Sequence, residues 1–354
     1  MMKQMVTLLA VLVLIGNSLA QAAERVTLII PLPQITSVFA FATSIPIELG
    51  FFKEEGLEVE ASPSPGAVAG IQMVVGEKVT AALSNPGGPL IAVQKGSPIK
   101  FYYAAQRGDI FGIGLLEGSG INALSDLKGK SIGVMSFASG GTIYARGLLA
   151  EAGLSENDYS LVEIGLGARA ASAIQSNQVQ ALSLFEEAYA QLQQGGIRLS
   201  KIVRDPRAAQ YISGCIVVRN EDLDRRPDMY IGLARAMAKG QIFQLANPEA
   251  SVRIHWKVYP NTAPRAGVTD DEVRKHVEVN RTSDRFLSPT ALGTNRYGDV
   301  PREDMVKLQR YLVATGVVPK EIDVSAYYTN DLIDRINSFD SDKIAALAKS
   351  YTGK

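Results

Sequence analysis

Two stretches of this chain repeat one another. One begins at Gly66 and reads GAVAGIQMVVGEKVTAALS; the other begins at Gly167 and reads GARAASAIQSNQVQALSL. In each, Gly-Ala opens a helical run. A Val-x-Ala strand follows, Val79-Thr80-Ala81 in one copy and Val179-Gln180-Ala181 in the other. A glycine then closes the unit at the same separation, Gly96 and Gly196. Agreement in both spacing and residue type marks two copies of one supersecondary unit. A chain built this way must house two similar layers.

Around the repeat, short β-like runs alternate with helical ones. Residues 26–30, 57–61, 80–83 and 99–105 read as strands in the first half, and 130–134, 161–164, 181–184 and 197–203 in the second. This rhythm predicts an α/β fold of two lobes, each a mostly parallel sheet covered by helices. From Asp222 onward the pattern is mainly helical, with Pro248, Pro301 and Pro319 as punctuation. Such a tail needs a sheet to cover, so it is expected to return to the first lobe. The chain would then cross between lobes near 112–118 and near 214–220. The expected division is 23–115 for the first part of lobe 1, 116–217 for lobe 2, and 218–354 for the return to lobe 1 and the C-terminal helices.

Lys3 is the only charge before Glu24; an apolar run spans 6–15, and Ala20-Gln21-Ala22 offers small residues for cleavage. This reads as a secretory signal peptide cut near Ala22, with a periplasmic mature protein. The run is short of the roughly 20 residues a membrane span needs. Cys215 is the only cysteine, so no intrachain disulfide can form. It sits in the apolar run Cys215-Ile216-Val217-Val218 and reads as a buried thiol. The net charge of zero lacks the basic excess of a nucleic-acid protein.

Ligands of open α/β sheets bind beyond the carboxyl ends of the strands. That rule marks five segments, 32–37, 84–88, 106–109, 135–142 and 185–189; the third reads as a short charged exposed turn, and the candidate ligand residues are Gln34, Thr36 and Ser37 in the first, Ser84 and Asn85 in the second, Ser136, Ser139, Gly140, Gly141 and Thr142 in the fourth, and Phe185 and Glu186 in the last. The fourth of these lies in GVMSFASGGTIYARGLL, where a strand meets a helix through hydroxyls and glycines. A helix N-terminus carries unpaired N–H groups and a positive partial charge, which suits an anionic or polar ligand group. Ser139 would be the N-cap, with Ser136 and Thr142 turned to the ligand; a plain structural cap is the competing reading. Glu186 could accept from a ligand N–H beside Phe185, or be one of a solvated acid pair in a first helical turn. The two histidines, His255 and His276, have no metal-ligand spacing, and no cofactor motif is present. With no catalytic constellation, the chain is expected not to be an enzyme.

The segments IPIELGFFKEEGLEVE (45–60), LSDLKGKSIGV (124–134), SFASGG and ALSLFEEAY resemble those of periplasmic substrate-binding proteins of the nitrate/sulfonate/taurine importers. Relatives that bind pyrimidine precursors of thiamine share the first of these, 45–60. The resemblance implies two lobes on a two-strand hinge, closing on a small organic molecule. A monomer would pass that molecule to a membrane permease driven by an ATPase. It also implies the four ligand loops named above. An enzyme of pyrimidine-precursor synthesis on the same scaffold, or a periplasmic sensor domain, are the alternatives.

Overall fold

The computed structural model describes residues 22–353; the expected signal peptide lies almost wholly outside them. Ten strands form two five-stranded sheets. The first holds β1 (Glu24–Ile30), β2 (Leu57–Pro63), β3 (Ala81–Ser84), β4 (Ile99–Arg107) and β10 (Ile212–Arg219). The second holds β5 (Phe111–Leu116), β6 (Ser131–Val134), β7 (Ser160–Glu163), β8 (Ala181–Phe185) and β9 (Leu199–Val203).

The strand orders are β2-β1-β3-β10-β4 and β7-β6-β8-β5-β9. They superpose element on element, as the internal repeat requires. Leu28 pairs with Ala81 in one sheet and Ile132 with Ala181 in the other, so each Val-x-Ala unit sits in the same place. Each sheet is mixed, not mostly parallel throughout. Its fourth strand is antiparallel to both neighbours: β10, which returns to the first sheet once the second is complete, lies between β3 and β4, and β5, which opens the second, lies between β8 and β9. The expected boundaries at 115/116 and 217/218 therefore fall inside β5 and β10. By strand pairing, the chain passes between sheets at 108–110 and again at 204–211. An apolar run such as Phe111–Leu116 carries no mark of its direction or of its sheet.

Both sheets are packed by helices. β10 is buried along nearly its whole length, including Cys215. Burial of each Ile or Val side chain there stabilises by about 1.5–3 kcal/mol. The Pro227–Ala246 helix, with proline at its first turn, is buried on almost every side. It returns to the first sheet through ion pairs. Lys239 Nζ reaches Glu54 at 2.7 Å, and Arg235 Nη1 reaches Glu55 at 2.7 Å. The two acids of the FFKEE segment thus anchor the return.

In the second sheet the Tyr189 hydroxyl sits among four backbone groups. It accepts from Gly114 N and Leu184 N at 3.0 Å each, and lies 2.7 and 2.9 Å from the carbonyls of Gly112 and Leu182. Any Cβ at Gly114 would stand 2.7 Å from the Tyr189 ring, so only glycine admits the phenol there.

The halves also touch each other. Ser136 Oγ donates to Pro65 O at 2.6 Å, and Val68 N donates to Ala138 O at 3.1 Å. A Cβ on Gly66 would lie 2.6 Å from Ala138 O, so the bare backbone of Gly66 makes this approach possible.

Candidate functional site

A cavity of about 810 Å3, counting space open to solvent, lies between the two sheets. Its wall draws on the ends of β1, β3, β4, β6 and β8 that face the other lobe. Leu32 and Thr36 follow β1, Ser84 and Asn85 end β3, and Gln106 ends β4. Ser139 and Gly140 follow β6, and Phe185 ends β8. The site is thus where strand carboxyl ends converge.

The strand-to-helix turn after β6 is built as a cap. The Gly140–Glu151 helix starts at Ser139, whose Oγ accepts from Thr142 N at 3.3 Å. Thr142 Oγ1 donates to Ser136 O at 2.8 Å. Thr142 is fully buried and Ser136 is turned to Pro65 of the other lobe. Ser139 and Gly140 line the cavity; Ser136, Gly141 and Thr142 do not.

In the opposite wall, Asn85 Oδ1 accepts from Gly88 N at 3.1 Å. That bond fixes the amide, and leaves Nδ2 buried without a partner. Ser84 Oγ donates to the Asn85 carbonyl at 3.0 Å. On the loop after β1, Thr36 faces the cavity. Gln34 is exposed away from it, and Ser37 is buried against Asn280. Of the twelve residues marked by the sequence, Thr36, Ser84, Asn85, Ser139, Gly140 and Phe185 come together around one space.

The acid that lines the cavity is Glu187, one residue beyond the expected Glu186. Glu186 is turned aside and held by two guanidinium groups, Arg204 and Arg285, each at 2.9 Å. Glu187 lines the cavity and is buried. Burial pushes its carboxyl up to about 7, against the pull of the Ser283 hydroxyl and its own N–H; nearby Glu186 adds to the rise. Burial likewise raises Asp284 to about 7; a hydrogen bond from Gln244 at 2.8 Å pulls it back, and Glu187 opposes its ionisation.

Gln106, Phe111, Gln191 and Ser213 also line the space. Ser213 and Phe111 open the antiparallel strands, which bring their amino ends to the edge where parallel strands end. A rule read on carboxyl ends passes over them. The histidines stand apart: His255 is buried 3.3 Å from Ser44 Oγ, and neither His255 nor His276 reaches the cavity. Burial lowers His255 to about 4, so its ring is neutral at ordinary pH.

Comparison with known proteins places this geometry. Over 289 residues, 77% of each chain, it is 24% identical to a Schizosaccharomyces pombe protein named 4-amino-5-hydroxymethyl-2-methylpyrimidine phosphate synthase. That relative corrects the expectation that the chain is not an enzyme, since a protein alike over most of its length is named as one. The fold matches the alkanesulfonate-binding protein SsuA of Xanthomonas axonopodis pv. citri, solved bound to MOPS. The TM-score is 0.64 at 13% identity, over 86% of this chain and 98% of that one. It also matches the periplasmic nitrate-binding protein NrtA of Synechocystis PCC 6803, with a TM-score of 0.61 at 17% identity, over 92% and 98%. The two mixed sheets are those of the periplasmic-binding-protein fold. A family model described as NMT1/THI5 like matches residues 44–251. With that match covering more than half of the chain, including the whole second sheet and all of the first but β1, the chain belongs to the NMT1/THI5-like family.

Proposed function

We propose that this protein is the solute-binding component of an ABC-type importer. It works in the periplasm as a monomer, closing two lobes on a small organic molecule and delivering it to a permease and its ATPase. The observation that carries this reading is the cavity itself. Its wall is shared by both sheets, with Ser84 and Asn85 from the first and Ser139 and the buried carboxyl of Glu187 from the second. The ligand would have a polar or acidic end against Ser84 and Ser139, and a nitrogen-bearing or flat end against Glu187 and Phe185. A small inorganic anion alone would be met with repulsion by an ionised Glu187 and would bind only with that carboxyl protonated.

Mass spectrometry of the ligand released from the natively purified protein tests the reading. A bound organic molecule that restabilises the stripped protein supports it. A protein that carries nothing, and that neither organic acids nor aminopyrimidines stabilise in a thermal-shift series, counts against it. The name of the yeast relative favours a second reading, synthesis of a pyrimidine on this scaffold. A covalently altered side chain in protein recovered from cells would favour that one instead.

A further inference from the structure

Next to the first lies a second cavity, of about 580 Å3 counting space open to solvent. It shares Asn85, Phe111, Gly140 and Ser213 with the first. Its other walls come from further along the Gly140–Glu151 helix of the second lobe, at Ile143 and Tyr144, and from the Arg302–Ala314 helix of the return, which the first cavity does not use. Four aromatic rings face it. Phe111 and Tyr144 lie with centroids 6.0 Å apart, and Tyr211 and Tyr311 with centroids 5.5 Å apart. Leu308 and Leu312 complete an apolar lining.

The polar atoms of the lining divide into two kinds. Some are spent. Asp109 accepts from Phe111 N at 3.0 Å and from the Tyr144 hydroxyl at 2.9 Å, so both its oxygens are engaged. The Tyr144 hydroxyl also accepts from Asp205 N at 2.9 Å. Others have no partner: Ser213 Oγ, on a residue only 8% exposed, and Asn85 Nδ2. A buried hydroxyl left unpaired forfeits a hydrogen bond and keeps the cost of its desolvation. Both unpaired atoms can donate. What would satisfy them is an acceptor, and what would satisfy the rings is a flat apolar body.

We infer that this chamber is a second small-molecule site, for a neutral planar aromatic carrying a carbonyl or ring-nitrogen acceptor. The inference does not rest on the identity of the solute in the first cavity. Its occupant touches both lobes and the two passages between them, so it favours the form in which the lobes meet.

Coumarin is a suitable probe, being flat, uncharged and equipped with a lactone carbonyl. On methyl-labelled full-length protein, intermolecular nuclear Overhauser contacts from coumarin should fall on Ile143, Leu308, Leu312 and Val317. Ser213→Ala should weaken its binding about two- to tenfold, the range of one hydrogen bond. Contacts confined to Leu32, Leu83 and Leu166 would place coumarin in the first cavity and overturn the inference. So would the absence of any contact up to the solubility limit. An unchanged affinity in folded Ser213→Ala would overturn the assigned donor.

Discussion

Arg285 donates to Glu186 at 2.9 Å and so ties the returning helical segment to the second lobe. Arg204, from the passage after β9, holds the other oxygen of the same carboxylate. Glu186 is thereby an inter-lobe clasp, while Glu187 beside it faces the cavity. Because the Arg285 side chain is 64% exposed, the pair is screened, and a double-mutant cycle on Glu186→Gln and Arg285→Ala should give a coupling below about 1 kcal/mol in urea unfolding. Solute affinity should respond more strongly to Glu187→Gln than to Glu186→Gln, which loses only the screened clasp. The reverse order of sensitivity would assign the site to the wrong acid.

The pH dependence of stability follows from Glu187 and Asp284. Their carboxyls are raised to about 7 by burial, from ordinary values of 4.5 and 3.8. The folded protein therefore binds protons that the unfolded chain releases. The stabilisation is fully present below about pH 4 and is lost as pH rises through about 7. Thermal midpoints between pH 4 and pH 8 should fall with rising pH over that window, apart from whatever other groups contribute. Glu187→Gln should reduce the slope, with Asp284 keeping part of it. A slope that Glu187→Gln leaves unaltered would mean that the carboxyl titrates normally.

Ser139 and Thr142 should separate. Thr142→Ala removes bonds to Ser136 O and Ser139 Oγ inside the turn, and should lower stability by about 1 kcal/mol with solute affinity unchanged. Ser139→Ala removes an N-cap, at about 0.5–2 kcal/mol, and also a hydroxyl of the cavity wall. It should weaken both folding and binding. Calorimetry beside chemical unfolding reads the two effects apart.

Tyr189→Phe keeps the ring and strands the backbone groups around the hydroxyl. A loss of about 1–3 kcal/mol is expected in urea unfolding, the cost of leaving buried groups unpaired. A loss near zero would show that the ring alone supports the second sheet.

Cys215 is fully buried in β10, and burial raises its thiol well above the ordinary value. Iodoacetamide should leave the native protein unlabelled and label it stoichiometrically in denaturant. Rapid native labelling would require that β10 opens between β3 and β4.

Much of this architecture is legible in the residues, for a definite reason. The Val-x-Ala strands and their Gly-Ala helices repeat, and hydrophobic periodicity reports strands and helices directly. Direction is another matter. β5 and β10 are apolar runs like their neighbours, and whether such a run joins its own sheet or the opposite one depends on pairing partners far along the chain. The expected crossings, near 112–118 and 214–220, therefore lie C-terminal to the passages at 108–110 and 204–211. The site divides in the same way. Ser84, Asn85, Ser139 and Phe185 stand where strands end, which sequence can mark. Which of Glu186 and Glu187 faces inward is a question of helix phase, since successive side chains turn about 100° apart. Ser213 enters from an amino end and carries no such mark.

The contact of Pro65 and Val68 with Ser136 and Ala138 has a consequence for affinity. Two hydrogen bonds between loops, each contributing about 0.5–1.5 kcal/mol, favour the joined lobes whether or not anything lies between them. A solute then selects a conformation already populated, and its apparent dissociation constant is the intrinsic one divided by the joined fraction. Side chains that never meet the solute thereby set how tightly it is held: Ser136→Ala would lower the affinity for every ligand by one common factor and leave their ranking untouched.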